Sequence, residues 1–152
     1  MRRGSVTKTR VLFVCIHNAG RSQMAEALLR HLGGDRFEAD SAGLEAGTLN
    51  PIVVDALKEL GLDISRNEPK SVFDLQKGGR LYDVVVTVCD EASAESCPVF
   101  PGPVRRLHWS FKDPARFEGT YEERLASTRA VRDEIQAAIE RFVKERPLSE
   151  KR

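Results

Sequence analysis

The run Cys15-Ile16-His17-Asn18-Ala19-Gly20-Arg21-Ser22 gathers residue types that can bind and attack a tetrahedral oxyanion. A cysteine opens the run, five residues intervene, and an arginine follows. Backbone N–H groups of a short loop can curl around an anion, and a helix starting at the loop's end adds partial positive charge. Arginine can give two parallel hydrogen bonds to two of the anion's oxygens, which lysine cannot do. The same positive field favours a thiolate at Cys15, the nucleophilic form of that group, and Ser22 is placed to donate its hydroxyl to the sulfur. Ile16, His17, Asn18, Ala19, Gly20, Arg21 and Ser22 are therefore the expected oxyanion cradle. A buried cysteine followed by an unrelated surface arginine would show the same spacing, so the elements around the run decide its meaning.

Those elements read as alternating strands and helices. Val11 to Val14 form a short apolar run inside a strand predicted over Arg10–Ile16,. Met24, Ala25, Leu28, Leu29 and Leu32 recur at helical spacing until Gly33-Gly34,. The cysteine thus closes a strand and the arginine opens a helix. Phe37–Ser41 reads as a second strand, and Asn50-Pro51 as a helix start with Asn50 capping. That helix carries Val53, Val54, Leu57 and Leu60 and ends at Gly61. Leu81–Cys89 is a third strand rich in valine, Val104–His108 a fourth, and Tyr121–Lys144 a long helix with Leu125, Val131, Ile135, Ile139, Phe142 and Val143 facing inward. Such alternation predicts an α/β domain, a parallel sheet with helices on both faces. Ligands in these sheets bind at the carboxyl ends of strands, where the loops after the first, third and fourth strands converge. Cys89 lies at the end of the third strand and Cys97 eight positions on, across 90–96. That spacing is too wide for a zinc knuckle, and no histidine falls at ligand spacing nearby. Asp113-Pro114 follows the fourth strand, and the proline fixes the backbone angle of the residue before it.

The bulk numbers leave the function to this local site. The chain has 152 residues, 41% hydrophobic and 31% charged, enough for one domain with its own core,. A formal net charge of +1 offers no field for nucleic acid or an anionic membrane,. No apolar run approaches the length of a membrane span, and Met1–Arg10 lacks the pattern of a secretory leader. Three cysteines are too few, and odd in number, for a secreted disulfide scaffold,. The expectation is a cytoplasmic single domain over 10–146, with disordered tails at 1–9 and 147–152.

The stretch Val14 to Glu26 resembles the active-site signature of the low-molecular-weight tyrosine phosphatase superfamily, and more closely that of its thioredoxin-coupled arsenate reductases. The resemblance runs from about Arg10 to Lys144. It includes Asp40-Ser41-Ala42-Gly43, the Asn50-Pro51 helix start, Val85 to Asp90, Cys97 to Pro101 and His108 to Ala115. It implies a four-stranded parallel sheet flanked by helices and a reduction of arsenate to arsenite for arsenic detoxification. Phosphate or sulfate would compete for the cradle. Cys15 would attack the oxyanion, Arg21 would hold it, and Asp113 would protonate the leaving oxygen. Cys89 and then Cys97 would carry the oxidation onward as disulfides to an external thiol reductant, thioredoxin by resemblance, with mycothiol or glutaredoxin systems as alternatives. Asn18, Glu26 and Ser41 match three residues of a cation site beside the loop. The fourth ligand, an aspartate in the family, is Lys70 here, so no metal is expected and the three would brace the loop. Two other readings remain. A tyrosine phosphatase would need neither Cys89 nor Cys97, and Ala115-Arg116 lacks the aromatic residues expected to hold a phosphotyrosine ring. A non-enzymatic oxyanion sensor would need no acid and no further thiols.

Overall fold

The computed structural model describes residues 8–90 and 94–145. Most of the expected N-terminal tail, all of the expected C-terminal tail, and residues 91–93 of the stretch between Cys89 and Cys97 lie outside them. Four strands form one parallel sheet: β1 (Thr9–Cys15), β2 (Phe37–Gly43), β3 (Val84–Thr87) and β4 (Arg105–His108), in the order β2-β1-β3-β4. The helices are α1 (Arg21–Gly33), α2 (Pro51–Lys58), α3 (Val72–Lys77) and α4 (Tyr121–Glu145). The central strand β1 is covered on both sides, which is why Val11 through Val14 read as a continuous apolar run rather than an alternating one,. Sequence periodicity missed α3, whose six residues are too short to show a helical stripe. It also carried the second helix past its end: α2 stops at Lys58, and Leu60 is exposed.

Strand alternation splits the core into two layers. Val11, Phe13 and Cys15 of β1 face α1, α2 and α4 together with Val84 and Val86 of β3. Leu12, Val14 and Val85 face the other way, against Val72, Tyr82, Phe100 and Cys97. Handedness accounts for this division. The connection from β1 to β2 and the connection from β3 to β4 step in opposite directions along the sheet. Right-handed crossovers must then lie on opposite faces. Consequently α1, which begins at the Cys15 loop, and the β3–β4 connection, which carries Cys97, cover different sides.

Phe13 anchors the first layer, fully buried and 6.1 Å from the ring centre of Trp109, which meets Phe142 of α4 in turn. Phe13→Ala should destabilise the protein by about 3–5 kcal/mol, the usual result of truncating a buried aromatic. A urea titration with an unchanged slope and a lowered midpoint is the expected reading.

Candidate active site

The loop after β1 owes its shape to bonds on its outer side. The carbonyls of Cys15, Ile16, His17 and Ala19 accept from the N–H groups of Leu44, Glu45, Gly47 and Asn50 at 2.9–3.0 Å. The Asn18 carbonyl accepts from the Gln23 side chain at 3.1 Å. Every peptide here is trans, so a carbonyl turned outward points the following N–H inward, toward the place an anion would take. Gly20 stands before α1, no side chain caps that helix, and its first turn carries no acid. The positive end of α1 is therefore left for the loop's ligand. Gly43 is needed where the 43–50 segment presses on the loop: a Cβ there would fall 2.6 Å from the Asn18 nitrogen. In the sequence Gly43 stood only within the Asp40–Gly43 stretch of the family resemblance, with no sign of this contact.

Asn18 sits in the left-handed region at φ 55, which asparagine tolerates better than most residues,. Its side chain ties the loop together. Nδ2 donates to Ser22 Oγ at 2.7 Å and Ser41 Oγ at 3.0 Å. Oδ1 accepts from the Lys70 backbone N–H at 2.9 Å and from Gln23 Nε2 at 3.2 Å. Ser41 Oγ in turn donates to Glu26 Oε1 at 2.5 Å. The three residues expected to brace the loop are joined in one buried network. Lys70 enters it through its backbone, and the cation placed against Glu26 is Arg30, 2.9 Å from Oε2. Among the described residues no group of three or more histidine, cysteine or acidic side chains is arranged to hold a metal ion.

Cys15 Sγ lies 2.9 Å from Ser22 Oγ and accepts the Asn18 N–H at 3.2 Å. Arg21, almost fully buried, donates to the Phe111 carbonyl at 3.1 Å and reaches Asp113 Oδ2 at 3.5 Å. Asp113 is extended, as a residue before proline must be, and its Oδ1 accepts from the Ala115 N–H at 3.0 Å,. Cys15, Ala19, Gly20, Arg21, Asn50 and Asp113 line a small pocket over the loop. His17 stands at its mouth, half-exposed and 3.3 Å from Glu45. The sequence missed the Phe111 carbonyl and Gln23 as parts of the site. Any residue has a carbonyl, and a glutamine in a helix carries no mark of what it will touch.

The β1–β3 register sets Val14 level with Thr87, so Cys15 lies beside the backbone that leads to Cys89. Both thiols belong to the same core layer. Burial pushes the Cys89 thiol up to about 11, against the opposing pull of the Arg21 charge. Cys97 is buried in the other layer, where desolvation also raises its thiol and nearby Arg106 works against that rise. All three cysteines are free. The site thus brings Cys15, Arg21, Asp113 and Cys89 together and leaves Cys97 across the sheet.

The chain matches the family described as low molecular weight phosphotyrosine protein phosphatase over residues 10–151. An arsenate reductase of Shouchella clausii is 45% identical over 138 residues, covering 90% of this chain and 96% of that protein. The chain belongs to the arsenate reductase branch of this family. The same branch appears among solved structures. An arsenate reductase in its oxidized state matches with a TM-score of 0.75 at 26% identity, over 90% of this chain and 98% of that one. The thioredoxin-dependent arsenate reductase of Corynebacterium glutamicum matches with a TM-score of 0.68 at 31% identity, over 97% of this chain and 64% of that one. The four-stranded parallel sheet expected from the sequence is the sheet found here.

Proposed function

We propose that this protein reduces arsenate to arsenite by passing oxidation through Cys15, Cys89 and Cys97. The observation that carries the reading is the placement of Cys15, Arg21 and Asp113 around one small pocket, with Cys89 buried in the same core layer as Cys15, in a chain 45% identical to an arsenate reductase. The Cys15 thiolate attacks arsenic(V), and Asp113 gives a proton to the oxygen that leaves as water. Cys89 then attacks the Cys15 sulfur. As the S–S bond forms, the S–As bond breaks, and its electron pair stays on arsenic, which leaves as arsenite. Two thiols have lost two electrons and arsenic has gained two. Cys97 next attacks Cys89 and frees Cys15. An external dithiol, thioredoxin by analogy with the Corynebacterium relative, reduces the final Cys89–Cys97 disulfide. The protein itself needs no bound cofactor in this scheme. Three unpaired cysteines suit a reducing compartment such as the cytoplasm,, and among the described residues no helix is long and apolar enough to cross a membrane.

The test is arsenite formation from arsenate with thioredoxin, thioredoxin reductase and NADPH, with para-nitrophenyl phosphate hydrolysis run in parallel. Arsenite should appear with NADPH consumption, and hydrolysis should be slow. Some hydrolysis should be detectable, because Phe111 and Phe117 line a cavity of about 310 Å³ that shares Arg21 and Asp113 with the anion pocket. That cavity has room for an aryl group. Fast hydrolysis without arsenite would make the protein a phosphatase.

Asp113→Asn should slow formation of the first covalent adduct by about 10²–10⁴, the scale of lost general acid catalysis. Phosphate protection of Cys15 against alkylation should persist in that variant. Adduct formation within a factor of two of wild type would place the acid elsewhere.

A further inference from the structure

Glu26 is a carboxylate inside the protein, with a side chain 7% exposed. A charge so placed needs a partner. Arg30, one helical turn on, supplies it: one guanidinium nitrogen lies 2.9 Å from Glu26 Oε2. The same guanidinium is held by two bonds to the Ala39 carbonyl, at 3.1 and 2.8 Å. Arg30 therefore ties α1 to β2 two residues before Ser41.

From Glu26 to the cysteine the hydrogen bonds form one chain, with the Asn18 amide donating in both directions from its middle. Ser41 has a single hydroxyl proton, and the carboxylate takes it at 2.5 Å. Ser41 must then accept from Asn18, and that bond, together with the Lys70 and Gln23 N–H groups on the amide oxygen, sets which way the amide faces. The other amide proton goes to Ser22 Oγ at 2.7 Å. Ser22 is left with its own proton for Cys15 Sγ, 2.9 Å away. The order of donors is fixed by proton count alone, and the charged acceptor at its far end strengthens the bond it receives.

We propose that Arg30 is a positioning residue for the Cys15 thiolate. It compensates Glu26, so that the carboxylate can anchor Ser41 and, through Asn18, keep the Ser22 hydroxyl turned toward the sulfur. This rests on the reading of Cys15 as the nucleophile, and it adds a residue that does not touch the anion.

The readout is the iodoacetamide alkylation rate of Cys15 at neutral pH, followed by peptide mapping so that Cys89 and Cys97 are scored separately. It requires no arsenate turnover, so it stands or falls apart from the arsenate reading. Arg30→Met should slow alkylation about tenfold, the order expected when a charge-assisted contact is lost. It should also raise the arsenate KM more than it lowers kcat. Arg30→Gln, which keeps a donor for Ala39 without the charge, should be equally slow. Arg30→Lys should recover most of the rate. Arg30 is 59% exposed at its side chain, so guanidinium ion from solvent should restore Arg30→Met in part. Alkylation within twofold of wild type in both Arg30→Met and Arg30→Gln overturns the proposal, whatever their thermal stability. So does a Lys variant as slow as Met, since the charge would then be irrelevant. A lowered melting temperature with unchanged Cys15 reactivity would show Arg30 to be a packing residue only.

Discussion

Cys15→Ser should remove arsenate reduction altogether, with a loss on the order of 10⁴ or more, the scale on which deletion of a nucleophile falls. A serine hydroxyl at this place is neither ionised by the loop's field nor able to form a disulfide. Both later steps vanish with the first. Hydrolysis of para-nitrophenyl phosphate should vanish as well, because both reactions begin with attack by the same sulfur. Arsenate or phosphate should still bind, since the inward N–H groups, the α1 terminus and Arg21 are untouched by the change. Isothermal titration with phosphate can show binding in the variant, and arsenite assay can show the missing turnover. Reduction at a normal rate in Cys15→Ser would sink the mechanism. Arg21→Lys makes a companion case. It keeps the charge but loses the two-pronged contact and the anchor on the Phe111 carbonyl, so a severe loss is expected there too.

The second large effect is the failure of Cys89→Ser to release arsenite, which separates a reductase from a phosphatase. Water attacking a Cys15 adduct returns arsenate; only a second thiol leaves the electron pair on arsenic. In single turnover without reductant, with acid quench and peptide mapping, wild type should accumulate a Cys89–Cys97 disulfide. Cys97→Ser should release one arsenite and stop at Cys15–Cys89. Cys89→Ser should release almost none while keeping phosphate ester hydrolysis. Normal turnover in Cys89→Ser with none in Cys97→Ser would falsify this order. The pH dependence follows from the raised Cys89 thiol. With its pKa pushed up to about 11, the attacking thiolate is a fraction of roughly 10⁻⁴ at pH 7 and grows about tenfold per pH unit. Formation of Cys15–Cys89 should therefore speed up from pH 7 toward pH 10 in rapid-quench experiments. A flat profile would mean that Cys89 is activated only after it moves.

Much of this was legible before any coordinates. A buried central strand and long amphipathic helices leave strong periodic marks, so β1, α1 and α4 were found nearly to their ends. The oxyanion loop was legible because strand, cysteine, arginine and helix follow one another along the chain. What escaped depended on contacts between distant residues. The 2.9 Å approach of Arg30 to Glu26 looks in sequence like any surface pair one helical turn apart,. Lys70 stands where the family's cation site has an acid, and nothing in the sequence showed that its backbone would join the network. The placement of Cys97 on the far side of the sheet followed from crossover handedness, which a linear count of eight residues does not express.

That placement gives the protein two separate chemical entrances. The anion pocket opens beside Asn50 and Asp113, while Cys97 lies under the opposite surface, among Tyr82 and Phe100. In the proposed relay the stretch carrying Cys97 would have to change its path to reach Cys89, and in doing so would export an oxidising equivalent through the thickness of the sheet. Under that scheme a reductant restoring the thiols would not have to share a doorway with the anion. A cell flooded with arsenate can thus saturate one door of the enzyme without barring the other.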